Sequence, residues 1–198
     1  MEIAIITPTE TIDNEAEHII QLFENGLQLL HLRKHTASKD ELDEWLDNIP
    51  ALFHPRIVIH QQPEMLAEYN IGGFHLNQYH HHQKDEIKKN LQPHQTFSMS
   101  AHNFDEIKKS TGFNYYFISP VFDSLSKQGL TAAFDKHELE TGLKENADKK
   151  IFALGGVCAE NLHVLKKLGF AGAATLGNIW LSKNPVKTFL EMKEKLEK

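Results

Sequence analysis

The chain is 198 residues long, 40% hydrophobic and 24% charged, with a formal net charge of -6 and 13 histidines. That composition excludes a collagen-like or disordered chain. No apolar run reaches the roughly 18 residues of a transmembrane helix, and an acidic balance argues against a nucleic-acid partner, which needs a clustered basic face.

Short apolar runs alternate with amphipathic stretches along the whole chain. The run at residues 3–7 precedes a helical pattern at 14–25, with Ala16, Ile19, Ile20 and Phe23 at helical spacing. The run at 27–33 precedes a second pattern at 39–48, where Leu42, Trp45 and Leu46 follow Ser38, a candidate N-cap. Runs at 56–60 and 73–76 are followed by weaker patterns at 63–69 and 84–91. The run at 96–101 leads into 103–110 (Phe104, Ile107), and 115–119 into 136–144 (Leu139, Leu143). The run at 151–154 leads into 159–168 (Leu162, Leu165, Leu168), and 171–176 into 185–196 (Phe189, Leu190, Met192, Leu196). Eight strand–helix units of about 25 residues predict a small (β/α)8 TIM barrel, with a doubly wound open sheet as the alternative. No Pro/Gly/Ser-rich linker interrupts the pattern, so one domain over residues 1–198 is expected. Cys158, the one cysteine, excludes an internal disulfide, and residues 1–7 lack the basic region and cleavage site of a signal peptide, so a cytoplasmic location is expected.

In a barrel, function collects on the loops after the strands. Gly155-Gly156 ends the seventh run and Gly177 the eighth. Glycine lets backbone approach an anion closely, and loops 7 and 8 of barrels commonly hold phosphate. The sixth loop carries Ser124, Ser126 and Lys127, two hydroxyls and a cation that could wrap a phosphate, or form a solvated surface loop. Arg33 and Lys34 end the second run, suited to an anion or to a structural salt bridge. His102 follows the fifth run and could move protons, or cap the helix behind it. The run His80-His81-His82, with His75 nearby, invites a metal assignment, but consecutive residues in a turn point different ways, so no metal site is expected there. His18, His54, His94, His137 and His163 read as surface or core fill, and Trp45 and Trp180 as core or interface.

Taken together, these motifs resemble the thiamine-phosphate synthase superfamily, which includes the TenI-type thiazole tautomerases. The most specific pieces are residues 119–127 (SPVFDSLSK) and 153–157 (ALGGV), supported by 72–78 (GGFHLNQ) and Ser100-Ala101-His102. The resemblance implies a pyrophosphate-binding role for Arg33, with His35 at the place of the family's nearby lysine. It places Ser124, Ser126 and Lys127 on the sixth-loop ligands, Gly156 and Gly177 on the thiazole phosphate, and His102 on the proton shuttle of the tautomerases.

Two departures matter. Synthases hold Mg²⁺ with an aspartate after the third strand and another after the fourth. Here those stretches read His60-Gln61 and Asn77-Gln78-Tyr79-His80. Magnesium takes oxygen ligands, typically carboxylates and substrate phosphates. The expected activity is therefore that of a tautomerase acting on a thiazole phosphate, with His102 as acid/base, Arg33 or Lys34 neutralising the substrate carboxylate, and no cofactor. The alternatives are a synthase joining a pyrimidine diphosphate to the thiazole phosphate with Mg²⁺, and a non-catalytic binder of thiamine or thiazole phosphate.

Overall fold

A computed structural model describes residues 1–123 and 132–197. Eight parallel strands close into a barrel in sequence order: β1 (Glu2–Ile6), β2 (Leu29–Leu32), β3 (Ile57–Ile59), β4 (Gly73–Leu76), β5 (Thr96–Ala101), β6 (Tyr115–Ile118), β7 (Ile151–Leu154) and β8 (Gly172–Thr175). Closure is made by β1 against β8, with Ala4 opposite Ala174. The open-sheet alternative is thereby excluded. Strands covered on both faces need apolar residues at nearly every position, which is why they read as continuous runs rather than as alternating ones.

The two faces nevertheless do different work. Ala4, Ile6, Tyr115, Phe117, Phe152 and Ala174 fill the barrel interior. Ile3, Ile5, Leu30, Leu32 and Ile118 belong to the larger cluster under the helices. The outer layer comprises α1 (Glu15–Glu24), α2 (Lys39–Asp47), α3 (Met65–Glu68), α4 (Lys84–Asn90), α5 (Phe104–Lys109), α6 (Lys136–Glu145), α7 (Leu162–Leu168), α8 (Gly177–Trp180) and α9 (Pro185–Glu197).

Ser38 caps α2 as its sequence suggests, in a reciprocal capping box with Glu41. Asp135 and Glu138 do the same for α6. α7 starts later than its apolar spacing predicts, because the Asn161 side chain accepts from the Cys158 amide and holds the preceding residues in a turn. Three short pieces have no counterpart in the sequence pattern: the 3-10 turns Ala51–Arg56 and Gln78–Gln83, and α8. Among the described residues no helix is long and apolar enough to cross a membrane.

Candidate active site

The C-terminal ends of the strands surround a cavity of about 1100 Å³, lined by side chains from all eight strands or the loops after them. Arg33, His102, Gly155, Gly156 and Gly177 all line it.

On the side of β7 and β8, Gly155 and Gly156 adopt φ values of 94° and 63°, the left-handed region that disfavours a side chain. A Cβ at Gly155 would also meet Pro120 Cα at 2.9 Å, so the double glycine lets loop 7 pack against the segment after β6. Asn161 donates to the Gly156 carbonyl (2.9 Å) and Thr175 to the Val157 carbonyl (3.2 Å), which fixes this loop. The Trp180 indole donates to the Ile6 carbonyl at 2.7 Å and ties α8 to β1. Among the described residues, the Gly156 and Gly177 amides donate to no protein acceptor. Two fixed backbone donors at a cavity wall are what an anion requires.

On the opposite side, Arg33 leaves β2 pointing into the cavity. Its amide donates to Thr7 Oγ1 at 2.8 Å, and its guanidinium reaches Thr9 at 3.5 Å. Partial burial lowers its pKa, the cost of removing a cation from water. No ion pair neutralises it among the described residues, so it is available to an anion.

Lys34 is a correction to the expected site. Successive strand residues face opposite ways, so the alternation that turns His31, Arg33 and His35 inward turns Lys34 outward. Its ammonium is buried, 2.8 Å from Glu15 Oε2 and 3.1 Å from the Glu10 carbonyl. Glu15 also accepts from the Trp45 indole at 3.1 Å. Lys34, Glu15 and Trp45 thus form a structural network between β2, α1 and α2, the salt-bridge alternative for Lys34 and the core alternative for Trp45.

His102 lies exposed at the cavity rim, and its amide donates to Glu106 Oε2 at 2.9 Å. The cap of α5 is supplied by Asn103, whose side chain accepts from the Glu106 amide. The His102 ring is therefore not needed as a cap. Ser124, Ser126 and Lys127 lie outside the described residues.

The two positions that the sequence resemblance sets against the synthases' magnesium ligands offer no carboxylate here. Gln61 is buried with its amide nitrogen on the Lys34 carbonyl, facing away from the cavity. His80 bonds Asn77 Oδ1 through Nδ1 at 3.1 Å and sits edge-on to Phe74. Asn77 itself accepts from the Tyr79 and His80 amides and donates to the His60 carbonyl. Among the described residues Glu106 is the one carboxylate on the cavity wall, and its oxygens are taken by the His102 amide and the Asn103 side chain. A hard cation that wants free carboxylates finds none among the described residues of this wall.

Beneath the rim lies a feature that the sequence reading missed. His31, His60 and His75 are all buried and adjacent in the barrel interior. His31 Nδ1 is 2.9 Å from His60 Nε2, and the His60 and His75 rings stack at 4.4 Å. Tyr115 Oη lies 2.8 Å from His31 Nε2, while Ser98 and Ser100 hydroxyls lie 2.8 and 3.0 Å from the two His75 nitrogens. Burial pushes all three imidazoles well below the usual histidine range, His75 to about 3, so they are neutral. The signal lies in inward-facing histidines on β2, just past the end of β3 and on β4, whereas adjacency in sequence points to His80–His82.

Comparison with known proteins agrees with this architecture. The family model described as thiamine monophosphate synthase matches residues 3–179. A thiamine-phosphate synthase of Flavobacterium psychrophilum is 24% identical over 200 residues, covering 96% of this chain and 97% of that protein. One from Prochlorococcus marinus is 27% identical over 203 residues, covering 96% of this chain and 56% of that longer protein. The crystal structure of a thiamine phosphate pyrophosphorylase from Bacteroides thetaiotaomicron superposes with a TM-score of 0.80 at 30% identity, covering 100% of this chain and 98% of that one. These relatives carry the synthase name, the alternative in the sequence reading, and none of the three is named a tautomerase. With a matching family model over most of its length and a 30%-identical structural relative over all of it, the chain belongs to the thiamine monophosphate synthase family.

Proposed function

We propose that this enzyme of thiamine biosynthesis binds a thiazole phosphate at the barrel mouth and moves a proton on it, as a TenI-type tautomerase does, without magnesium. The observation that carries this reading is the state of the two rim positions where a synthase keeps its acids. One is an amide turned into the protein, and the other is a histidine engaged with Asn77. Expelling pyrophosphate needs strong neutralisation of developing charge. Moving a proton needs only a grip on the phosphate and a group of suitable basicity near the ring.

The Gly156 and Gly177 amides would hold the phosphate, and Arg33, across the cavity, would pair with the ring carboxylate. His102 would take the proton from the ring carbon. The electron pair left on carbon shifts into the conjugated system, and the same imidazole returns a proton at the new site, so the substrate is isomerised with no net gain or loss. Ser124, Ser126 and Lys127, outside the described residues, are proposed as further phosphate ligands.

The relatives' names favour a second reading, a magnesium-dependent synthase. Parallel assays separate the two. Conversion of the thiazole carboxylate phosphate in the presence of a chelator supports the tautomerase. Thiamine phosphate formed from both synthase substrates only when Mg²⁺ is added overturns it in favour of the synthase. Tight binding with no turnover in either assay leaves a binding protein.

A further inference from the structure

We propose that His31, His60 and His75 form a binding site for a transition-metal ion of the zinc class at the floor of the cavity. The site differs from a rim magnesium site in place and in ligand chemistry, and it holds whichever substrate the cavity takes.

Three observations converge. One ring nitrogen from each of the three histidines lies within 4.8 Å of the other two. Zinc–nitrogen bonds of about 2.0–2.1 Å in a tetrahedral site put ligand nitrogens about 3.3 Å apart. The 2.9 Å pair of His31 and His60 therefore opens by a few tenths of an ångström, and His75 draws in. The three imidazoles are also neutral, and the proton held in the 2.9 Å His31–His60 contact moves to a far ring nitrogen on binding, so no ligand loses a proton overall.

The third observation concerns the opposite ring nitrogens. A ligating histidine almost always donates its other N–H to an oxygen, which fixes tautomer and ring direction. With His31 bound through Nδ1, its Nε2 is already 2.8 Å from Tyr115 Oη. With His75 bound through Nε2, which exchanges its 3.0 Å contact with Ser100 Oγ for the ion, its Nδ1 is already 2.8 Å from Ser98 Oγ. These oxygens also satisfy buried imidazole nitrogens, as burial alone requires, and the Tyr115 contact leaves His31 Nδ1 directed at His60.

His60 and His75 line the cavity, so the ion would be reached from the mouth and would keep a position open to it. Three neutral ligands leave the ion's double charge uncompensated, and Arg33 adds a cation nearby. The open position would therefore take an anionic oxygen, a hydroxide or a carboxylate. Imidazole donors suit Zn²⁺, Ni²⁺ or Cu²⁺ and disfavour Mg²⁺ and Ca²⁺.

The test uses the full chain without a histidine tag, stripped with chelator and titrated with Zn²⁺ and with Co²⁺. The expected result is one ion per chain and, for Co²⁺, the visible absorption of a four-coordinate nitrogen-ligated site. Both should be lost in His60→Gln, with the circular dichroism spectrum unchanged. Tyr115→Phe and Ser98→Ala leave all three ligands in place and should weaken affinity about 10–100-fold. If His60→Gln unfolds, those two variants decide the matter. The proposal is overturned if neither ion binds at micromolar concentration. It is equally overturned if binding survives in folded His60→Gln or is unmoved by Tyr115→Phe and Ser98→Ala, or disappears instead when His81 and His82 are replaced.

Discussion

The two halves of the barrel interior are filled in opposite ways. Along β6, β7, β8 and β1, Phe117, Phe152, Ala174 and Ala4 fit large against small with no polar atom to satisfy. Across from them, β2, the end of β3 and β4 present His31, His60 and His75. The apolar half gains from burial alone. The imidazole half recovers the cost of burying polar atoms only because Tyr115, Ser98 and Ser100 meet them. A wall of the first kind holds a barrel together, and one of the second kind is tolerated where its chemistry has a use. Phe117 joins the halves, tilted against His31 at 4.6 Å and stacked on His75 at 5.2 Å.

Substitutions break this contrast in graded ways. Phe117→Ala removes the ring that both halves share and should cost about 3–5 kcal/mol in urea unfolding. Glu15→Ala strands the Lys34 ammonium in the outer layer and should cost a similar 3–5 kcal/mol, about the figure for halving a buried ion pair. Its effect on anion affinity should be nil, which separates Lys34 from the cavity. Arg33→Met should do the reverse. It should weaken binding of the carboxylate-bearing thiazole phosphate by about 1.5–3 kcal/mol in calorimetry, the range for hydrogen bonds to charged groups, and leave stability nearly unchanged.

Acid should distinguish the two walls without any substitution. The folded pKa values of His31, His60 and His75 lie below the unfolded value near 6.5, so the unfolded chain binds more protons once the pH falls under that value. Their contribution to stability is complete above pH 6.5 and is lost as pH drops toward the folded value, about 3 for His75. The melting temperature of chelator-treated protein should fall as pH is lowered from 6.5. In His75→Gln the fall should be shallower. An equal slope in that variant would place the acid sensitivity elsewhere.

Much of this was legible in the sequence. β4, β5 and β7 have the bounds that their apolar runs predict, and Ser38 caps α2 as expected. The glycines of loops 7 and 8 reach the cavity because barrel topology fixes which end of a strand is functional. The short pieces were not legible, since α8 and the 3-10 turns hold too few residues to show a period. Lys34 was misplaced because a loop was read by composition. Carrying the period of two through Leu32 to residue 34 assigns it to the outer face. The histidine cluster was missed for the opposite reason, since its members are far apart in sequence and meet only when the barrel closes.

The exposed His102 ring should be dispensable for folding, with His102→Ala within about 0.5 kcal/mol of the unchanged chain. That makes it the cleanest probe of the chemistry at the mouth. The decisive measurement is nuclear magnetic resonance of the thiazole carboxylate phosphate in deuterated buffer containing chelator, with the unchanged chain and with His102→Ala. Proton transfer by His102 predicts conversion to the aromatic tautomer with deuterium incorporated at the carbon that receives the proton, and loss of both in the folded variant. Conversion at an unchanged rate in His102→Ala, or no conversion by a chain that makes thiamine phosphate once Mg²⁺ is supplied, would contradict it.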